Sequence, residues 1–360
     1  MCNTDLDCGP SSRCGADKLC IDDPNRPPPP PGGPDGGGNT DGATLPLEQL
    51  ARDLDMSHEL VVVNTTVFMT VKGSIFSCPT TGCAPPDSGL TEVAAKPIGI
   101  AASLSSLYFT RPSDGAFSCD QLDCTTNTPR RLGPAGNARA IFFLPAGSSV
   151  YWVTTLAGGT EVWRGVAGMP TSNALVASAD AGGVSTDEAA IRVSGKNIYW
   201  TSGGNVYAVP TDLTTNTPLL LSTAIAGATR LALSSANGGE LFWNTSQPSV
   251  AGCSDSTCGG DAAAAVRVEP DTNETEAITA IVAQPTRLVW AEKKKGDAGT
   301  GWSIVRCSLP LTAKPCGKAG GGGATAVASG DAGEVAAMVL DVDTLYFLAD
   351  EKLFRIGLGP

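Results

Sequence analysis

Seven short apolar stretches, each carrying at least one aromatic residue, recur along this chain. They are "VFMT" at Val67, "LYFT" at Leu107, "VYWV" at Val150, "IYWT" at Ile198, "LFWN" at Leu241, "LVWA" at Leu288 and "LYFL" at Leu345. Successive anchors lie 40, 43, 48, 43, 47 and 57 residues apart. Both alternating faces of each anchor are apolar: Ile198 and Trp200 point one way and Tyr199 the other. A strand buried on both faces needs a packed layer on each side. Four-stranded units of ~40–50 residues stacked around an axis supply that layer. The tryptophans Trp152, Trp200, Trp243 and Trp290 share one repeat position and are expected in the core.

Further columns follow the anchors. Across a short turn-rich connection come Ile75-Phe76, Ala116-Phe117, Val162-Trp163, Val206-Tyr207, Val250-Ala251, Ile304-Val305 and Leu353-Phe354. A weaker third column includes Thr91–Ala95 and Thr325–Ala328, and a fourth precedes each anchor, as at Ala140–Leu144 and Ala336–Leu340. The last repeat ends without its outer strand, while "LPLEQLA" at Leu45–Ala51 has no blade of its own. Giving that stretch to the last blade closes the ring and removes an exposed edge. The expectation is an all-β chain, a seven-bladed β-propeller closed by an N-terminal strand. Six blades is the alternative, because the stretch from Cys258 to Leu288 is irregular.

The cysteines fall into the same register. Cys78, Cys119, Cys253 and Cys307 occupy one repeat position, where the other repeats have Gly165, Val209 and Ile356. Partners follow at Cys83, Cys124, Cys258 and Cys316, and repeats lacking the first cysteine lack the second. Loss in pairs predicts one disulfide within each of four repeats, stapling the turn between a blade's third and outer strands. A zinc site would need cysteines of separate blades to converge. A redox pair usually has tighter spacing.

Four more cysteines, Cys2, Cys8, Cys14 and Cys20, form a unit at residues 1–21. It is too short to bury a core, so two disulfides are expected to hold it, in one of three connectivities. Residues 22–44, "DDPNRPPPPPGGPDGGGNTDGAT", read as a linker, stiff at the prolines and loose at the glycines. The propeller then spans 45–360. Twelve cysteines in ordered pairs indicate an oxidising compartment. The first twenty residues lack the apolar run of a signal peptide, so the expectation is that one has been removed. No stretch has the length of a transmembrane helix. The net charge of −12 argues against nucleic acid as a partner.

The "IYWTSGGNVYAVP" repeat from Ile198 resembles the secreted propeller repeats common in myxobacteria, often preceded by a Cys-rich head and a Pro/Gly linker. It is more distantly similar to the YWTD propellers of lipoprotein-receptor ectodomains. Here Thr201 is followed by Ser202, so that family's Asp-mediated packing does not carry over. The resemblance spans 45–360 and implies a fold and an extracellular setting, without an activity.

Candidate chemistry is sparse. His58 is the only histidine, and no G-x-S-x-G elbow accompanies it. Asp187-Glu188 and Asp341/Asp343 could pair as acids, and Asp5–Asp7 and Asp341–Asp343 could offer oxygens to calcium. No other cofactor or metal is expected. A ligand is expected on the face built from the second-to-third-strand hairpins and the blade connections. Candidates there are His58, Arg139, Arg230, Trp302, Glu334 and the Lys293–Lys295 run, the last otherwise a solvated loop tip. The reading is a monomeric, secreted or cell-surface module binding a protein or glycan of the envelope. The alternative is an envelope hydrolase or lyase with its site at the channel mouth.

Overall fold

The computed structural model describes residues 12–14, 20–22, 47–54, 59–83, 91–95, 97–120, 124, 128–145, 147–180, 189–222, 227–234, 239–255, 258, 265–295, 301–309, 316–317 and 323–359. The chain forms two compact units, Met1–Ala43 and Thr44–Pro360. In the first, Ser12–Cys14 pairs antiparallel with Cys20–Asp22, and Cys14 and Cys20 are register partners. Cys2, Cys8, Asp5–Asp7 and the 23–44 linker lie outside the described residues, as do His58 and Asp187-Glu188.

The second unit is a seven-bladed β-propeller of seven four-stranded antiparallel sheets. Blade 1, for example, runs Leu60–Val63, Thr66–Val71, Ser74–Pro79 and Thr91–Ala95 from axis to rim. The irregular stretch resolves into the outer strand of blade 5, Ala265–Val268, and the innermost strand of blade 6, Thr275–Gln284. Blade 7 takes its outer strand, Glu48–Ala51, from the start of the ring, pairing it with Lys352–Gly357. Arg355 secures the seam through the Glu48 carboxylate (2.7 and 2.9 Å) and the Thr80 carbonyl (2.6 Å). Each innermost strand touches the next, and that of blade 7 touches that of blade 1.

The core consists of seven clusters, one per seam between neighbouring blades. In every anchor the first and third residues pack toward the preceding blade and the second toward the following one. Thus Leu241 and Trp243 join the seam with blade 4, and Phe242 the seam with blade 6. The four repeat-position tryptophans are fully buried.

The fourth anchor residue decides how the innermost strand begins. In blades 1, 2 and 4 it is Thr70, Thr110 or Thr201, whose Oγ1 accepts the N–H of Glu59, Gly99 or Ala190 at 3.1, 2.9 and 2.9 Å. In blade 5, Asn244 Oδ1 accepts the N–H groups of Thr229 and Arg230. A polar side chain thus ends the ladder, and the innermost strands there have three or four residues. In blades 3, 6 and 7 the position holds Val153, Ala291 or Leu348, which cannot accept a hydrogen bond. There the innermost strand bulges and pairs onward, reaching 8, 10 and 7 residues. Thr110 also donates to the Arg139 carbonyl of blade 3 (2.9 Å). Gly99 permits that approach, since a Cβ there would lie 2.6 Å from the same oxygen.

Disulfides join Cys78–Cys83, Cys119–Cys124, Cys253–Cys258 and Cys307–Cys316. The blades without them close the same connection by other means. Blade 3 has a tight hairpin paired down to Val166 and Met169. Blade 4 has a hydrogen-bonded turn, Leu213 N–H to Pro210 carbonyl. Blade 7 has no such connection, because its outer strand comes from the N-terminal side. Blade 6 departs from a purely local staple. Cys316 bridges to Val268 on the outer strand of blade 5, with hydrogen bonds from Glu269 N–H and to Arg267 carbonyl, both 2.8 Å. The longer cysteine spacing there lets the loop clasp the neighbouring blade.

A buried carboxylate ties blade 4 to blade 5. Asp255 Oδ1 accepts hydrogen bonds from the Ser194, Asn197 and Tyr199 side chains. Burial, then the hydrogen bond to Asp255, holds the Tyr199 phenol far above its usual value, so it remains a donor.

Candidate functional site

Antiparallel topology fixes two faces. The innermost strands begin on an upper face, which also carries the second-to-third-strand hairpins. The first hairpins and the third-to-outer loops lie on the lower face, so the four disulfides are there. The innermost strands of all seven blades wall a central channel. An upper cavity of ≈ 100 Å³ and a lower cavity of ≈ 280 Å³ follow one another along it. Most of the wall is apolar, with Ile100, Ile141 and Ile281 lining both cavities.

Among the described residues, three charged side chains interrupt that wall. Glu59 and Arg192 line both cavities, and Arg230 lines the upper one. Arg192 occupies the middle of Ile191–Val193, between two buried neighbours, so the pleat turns it to the axis. Its Nη1 donates to the Ile191 carbonyl (2.8 Å), and its guanidinium lies 5.9 Å from the Phe142 ring centre. Arg230 donates to the carbonyls of Thr229 and Thr279, both at 3.3 Å. Burial raises the Glu59 carboxyl above its ordinary range, and Arg230 and then Arg192 partly offset this. Burial likewise lowers Arg192, against the pull of Glu59.

The sequence candidates are dispersed. Arg230 is in the channel. Arg139 sits at the blade 3 bulge, at the same end of the innermost strands. Glu334 is exposed on the upper face, just before the innermost strand of blade 7, lining a small cavity with Leu54 and Asp350. Trp302 begins the third strand of blade 6, at the upper face, but is buried there rather than exposed to a ligand. It is 3% exposed, edge-on to Phe347 at 5.5 Å, and its Nε1 donates to Asp350 (3.1 Å). Gly330 leaves the room its indole fills, since a Cβ there would lie 2.5 Å from the ring. The lysine run is the end of a strand rather than a free loop tip: Lys293 pairs with Glu276, Lys294 with buried Glu292, and Lys295 donates to the Thr272 carbonyl. Asp343 is engaged by Arg287 (2.6 Å). Glu59 and Arg192 escaped sequence reading. Their signal was a charge on the channel-facing parity of a short apolar strand, as in "IRV" at Ile191.

A larger groove lies on the lower face, opposite to expectation. It measures ≈ 640 Å³ and runs across blades 1 to 3. Leu104, 75% exposed, stands in it with Tyr108, Phe143 and Pro145, among the serines Ser103, Ser105, Ser106 and Ser148. Tyr108 and Phe143 stack at 5.3 Å. Ala102 and Phe143 also line the lower cavity, so groove and channel adjoin.

No family model and no curated protein matches the chain. Solved structures do. A chain of a mitotic checkpoint complex aligns with a TM-score of 0.60 at 13% identity, over 92% of this chain and 98% of that one. The computationally designed Ika8 protein aligns at 0.53 and 14%, over 86% and 99%. The tricorn protease aligns at 0.57 and 9%, over 89% of this chain and 35% of its own. At these identities the likeness is one of fold.

Proposed function

We propose that this chain is a binding module of an oxidising, extracytoplasmic compartment. Its ligand is a polypeptide or glycan of the cell envelope, held in the lower-face groove. The groove carries the reading. Its volume falls within the roughly 300–1,000 Å³ of ordinary ligand sites. It joins an exposed leucine and an aromatic pair to a set of hydroxyls on a rigid ring. The four in-register disulfides support the compartment, because such bonds persist where thiols are not kept reduced.

The test is capture on immobilised protein, from envelope extracts and on glycan arrays, beside a Leu104→Asp variant. Saturable capture by the wild type that the variant loses supports the groove. Equal capture by both sinks it. Turnover of a captured glycan or peptide would replace the module with the hydrolase or lyase reading. A free-thiol count on denatured, unreduced protein from the native source checks the compartment. Near-zero thiols agree with it and about twelve thiols overturn it.

A further inference from the structure

Two opposite charges face one another across the channel without meeting. Glu59 stands just before the innermost strand of blade 1, Leu60–Val63, and Arg192 is central in that of blade 4, Ile191–Val193. Three blades apart in a ring of seven, they lie on opposite sides of the axis. Each lines both cavities, so both reach the junction between the two. Glu59 N–H bonds to Thr70 as Ala190 N–H bonds to Thr201, which sets Arg192 two residues, roughly 6–7 Å, further down. The Glu59 carboxylate makes no hydrogen bond or ion pair with a described residue. The Arg192 guanidinium has only the Ile191 carbonyl as an acceptor among them. Arg230 has its own partners, the Thr229 and Thr279 carbonyls among them. Glu59 and Arg192 by themselves balance in sign, but a gap replaces the contact that buried charges ordinarily make.

A molecule that fills this gap needs an ammonium toward Glu59 and a carboxylate toward Arg192. The space beneath specifies the rest of it. The lower cavity, ≈ 280 Å³, is walled by Phe142, Phe143, Leu233, Ile281, Val339 and Leu340, among others. At about 30 Å³ per water-sized group it holds roughly nine such groups, enough for the side chain of leucine or phenylalanine. A dipolar head at the junction and an apolar body below describe one class of compound.

We propose that the channel is a binding site for a free α-amino acid with an apolar side chain. The α-carboxylate lies against Arg192, whose planar fork suits two-point contact with carboxylate oxygens. The α-ammonium lies against Glu59, and the side chain descends into the lower cavity, reached from the groove past Ala102 and Phe143. This site is separate from the polypeptide or glycan reading and stands whether or not that reading does.

The test is calorimetric titration of the full chain at neutral pH with alanine, leucine and phenylalanine. Beside them go 4-methylpentanoate, which is leucine without its ammonium, and 3-methylbutylamine, which is leucine without its carboxylate. Leucine should bind more tightly than alanine by about fourfold per added carbon. Each of the two deleted forms should bind at least about tenfold more weakly than leucine, the worth of one charge-assisted contact. Glu59→Gln should weaken leucine by a similar factor and leave 4-methylpentanoate unchanged. Arg192→Gln should weaken leucine and leave 3-methylbutylamine unchanged. Leu233→Trp, filling the lower cavity, should erase the preference for leucine over alanine. Should Arg192→Gln fail to fold, the Glu59 and Leu233 variants carry the test. Absence of saturable leucine binding would overturn the proposal. So would either deleted form binding as tightly as leucine, or equal leucine binding by wild type and Glu59→Gln.

Discussion

Replacing Thr110 by valine exchanges one hydroxyl for one methyl at a fully buried position. The shape is kept and the polarity is lost. Two groups lose their partner: the Gly99 N–H and the Arg139 carbonyl. An unmade buried hydrogen bond costs about 1–3 kcal/mol. The carbonyl is only partly buried, so the sum comes to about 2–4 kcal/mol. Thr201→Val is the comparator, because only the Ala190 N–H depends on that hydroxyl, and about 1–2 kcal/mol is expected. Both anchors keep their backbone bond to the innermost strand, Thr110 N–H to Gly99 and Thr201 N–H to Ala190. The difference between the variants therefore isolates the bond that crosses from blade 2 to blade 3. The assay is urea unfolding followed by tryptophan fluorescence, read only where the denaturant slope is unchanged, with amide exchange at Gly99. The reasoning fails if Thr110→Val costs no more than Thr201→Val and the Gly99 amide keeps its protection.

The remaining predictions concern other seams. Cys307→Ser with Cys316→Ser opens a ten-residue loop and should cost about 2.7 kcal/mol, against about 2.2 for the six-residue loop of Cys78–Cys83. Only the former should deprotect the Glu269 amide of blade 5; an unchanged Glu269 would refute the clasp. Asp255→Ala removes the carboxylate shared by three side-chain donors, which keep only backbone or hydroxyl acceptors at longer range, and should cost about 1–3 kcal/mol, measured by the same unfolding. Glu59 has a raised pKa in the folded state, so between its unfolded and folded values the folded chain holds a proton that the unfolded chain has lost. Its contribution is full below the unfolded pKa and is lost as pH rises through the folded one. Subtracting the Glu59→Gln stability profile from that of the wild type should reveal this fall from about pH 4 upward, and parallel profiles would refute it.

Much of the ring was legible because its cause is local and repeated. An anchor such as "LFWN" must bury both faces, and seven of them dictate seven seams. The paired cysteines and the orphan strand at Leu45–Ala51 were readable for the same reason: each is defined by its register against the repeat. What was hidden depends on contacts between repeats. The Cys316 clasp needs the outer strand of blade 5, and Trp302 is buried by Phe347 of a different blade. Period alone placed Trp302 beside a long connection, where exposure was the natural inference. The groove was missed because it is a space, made by hairpins of three blades. Arg192 was missed because strands of three residues give too little alternation to mark which side faces the axis.

The seam at Glu48 and Arg355 joins residues 307 positions apart. In order of synthesis, the strand that completes the last blade is the earliest segment of the ring to be made. At ~5–20 residues per second, it waits about 15–60 s for its partner. Blades 1 to 6 can pair as they appear, but blade 7 cannot be finished without that first strand. A chain truncated before Leu353 has no strand for Glu48–Ala51 to join, and both would remain open edges. Ring closure is therefore a length check: only a chain made through Lys352–Gly357 can cover the first strand of the ring.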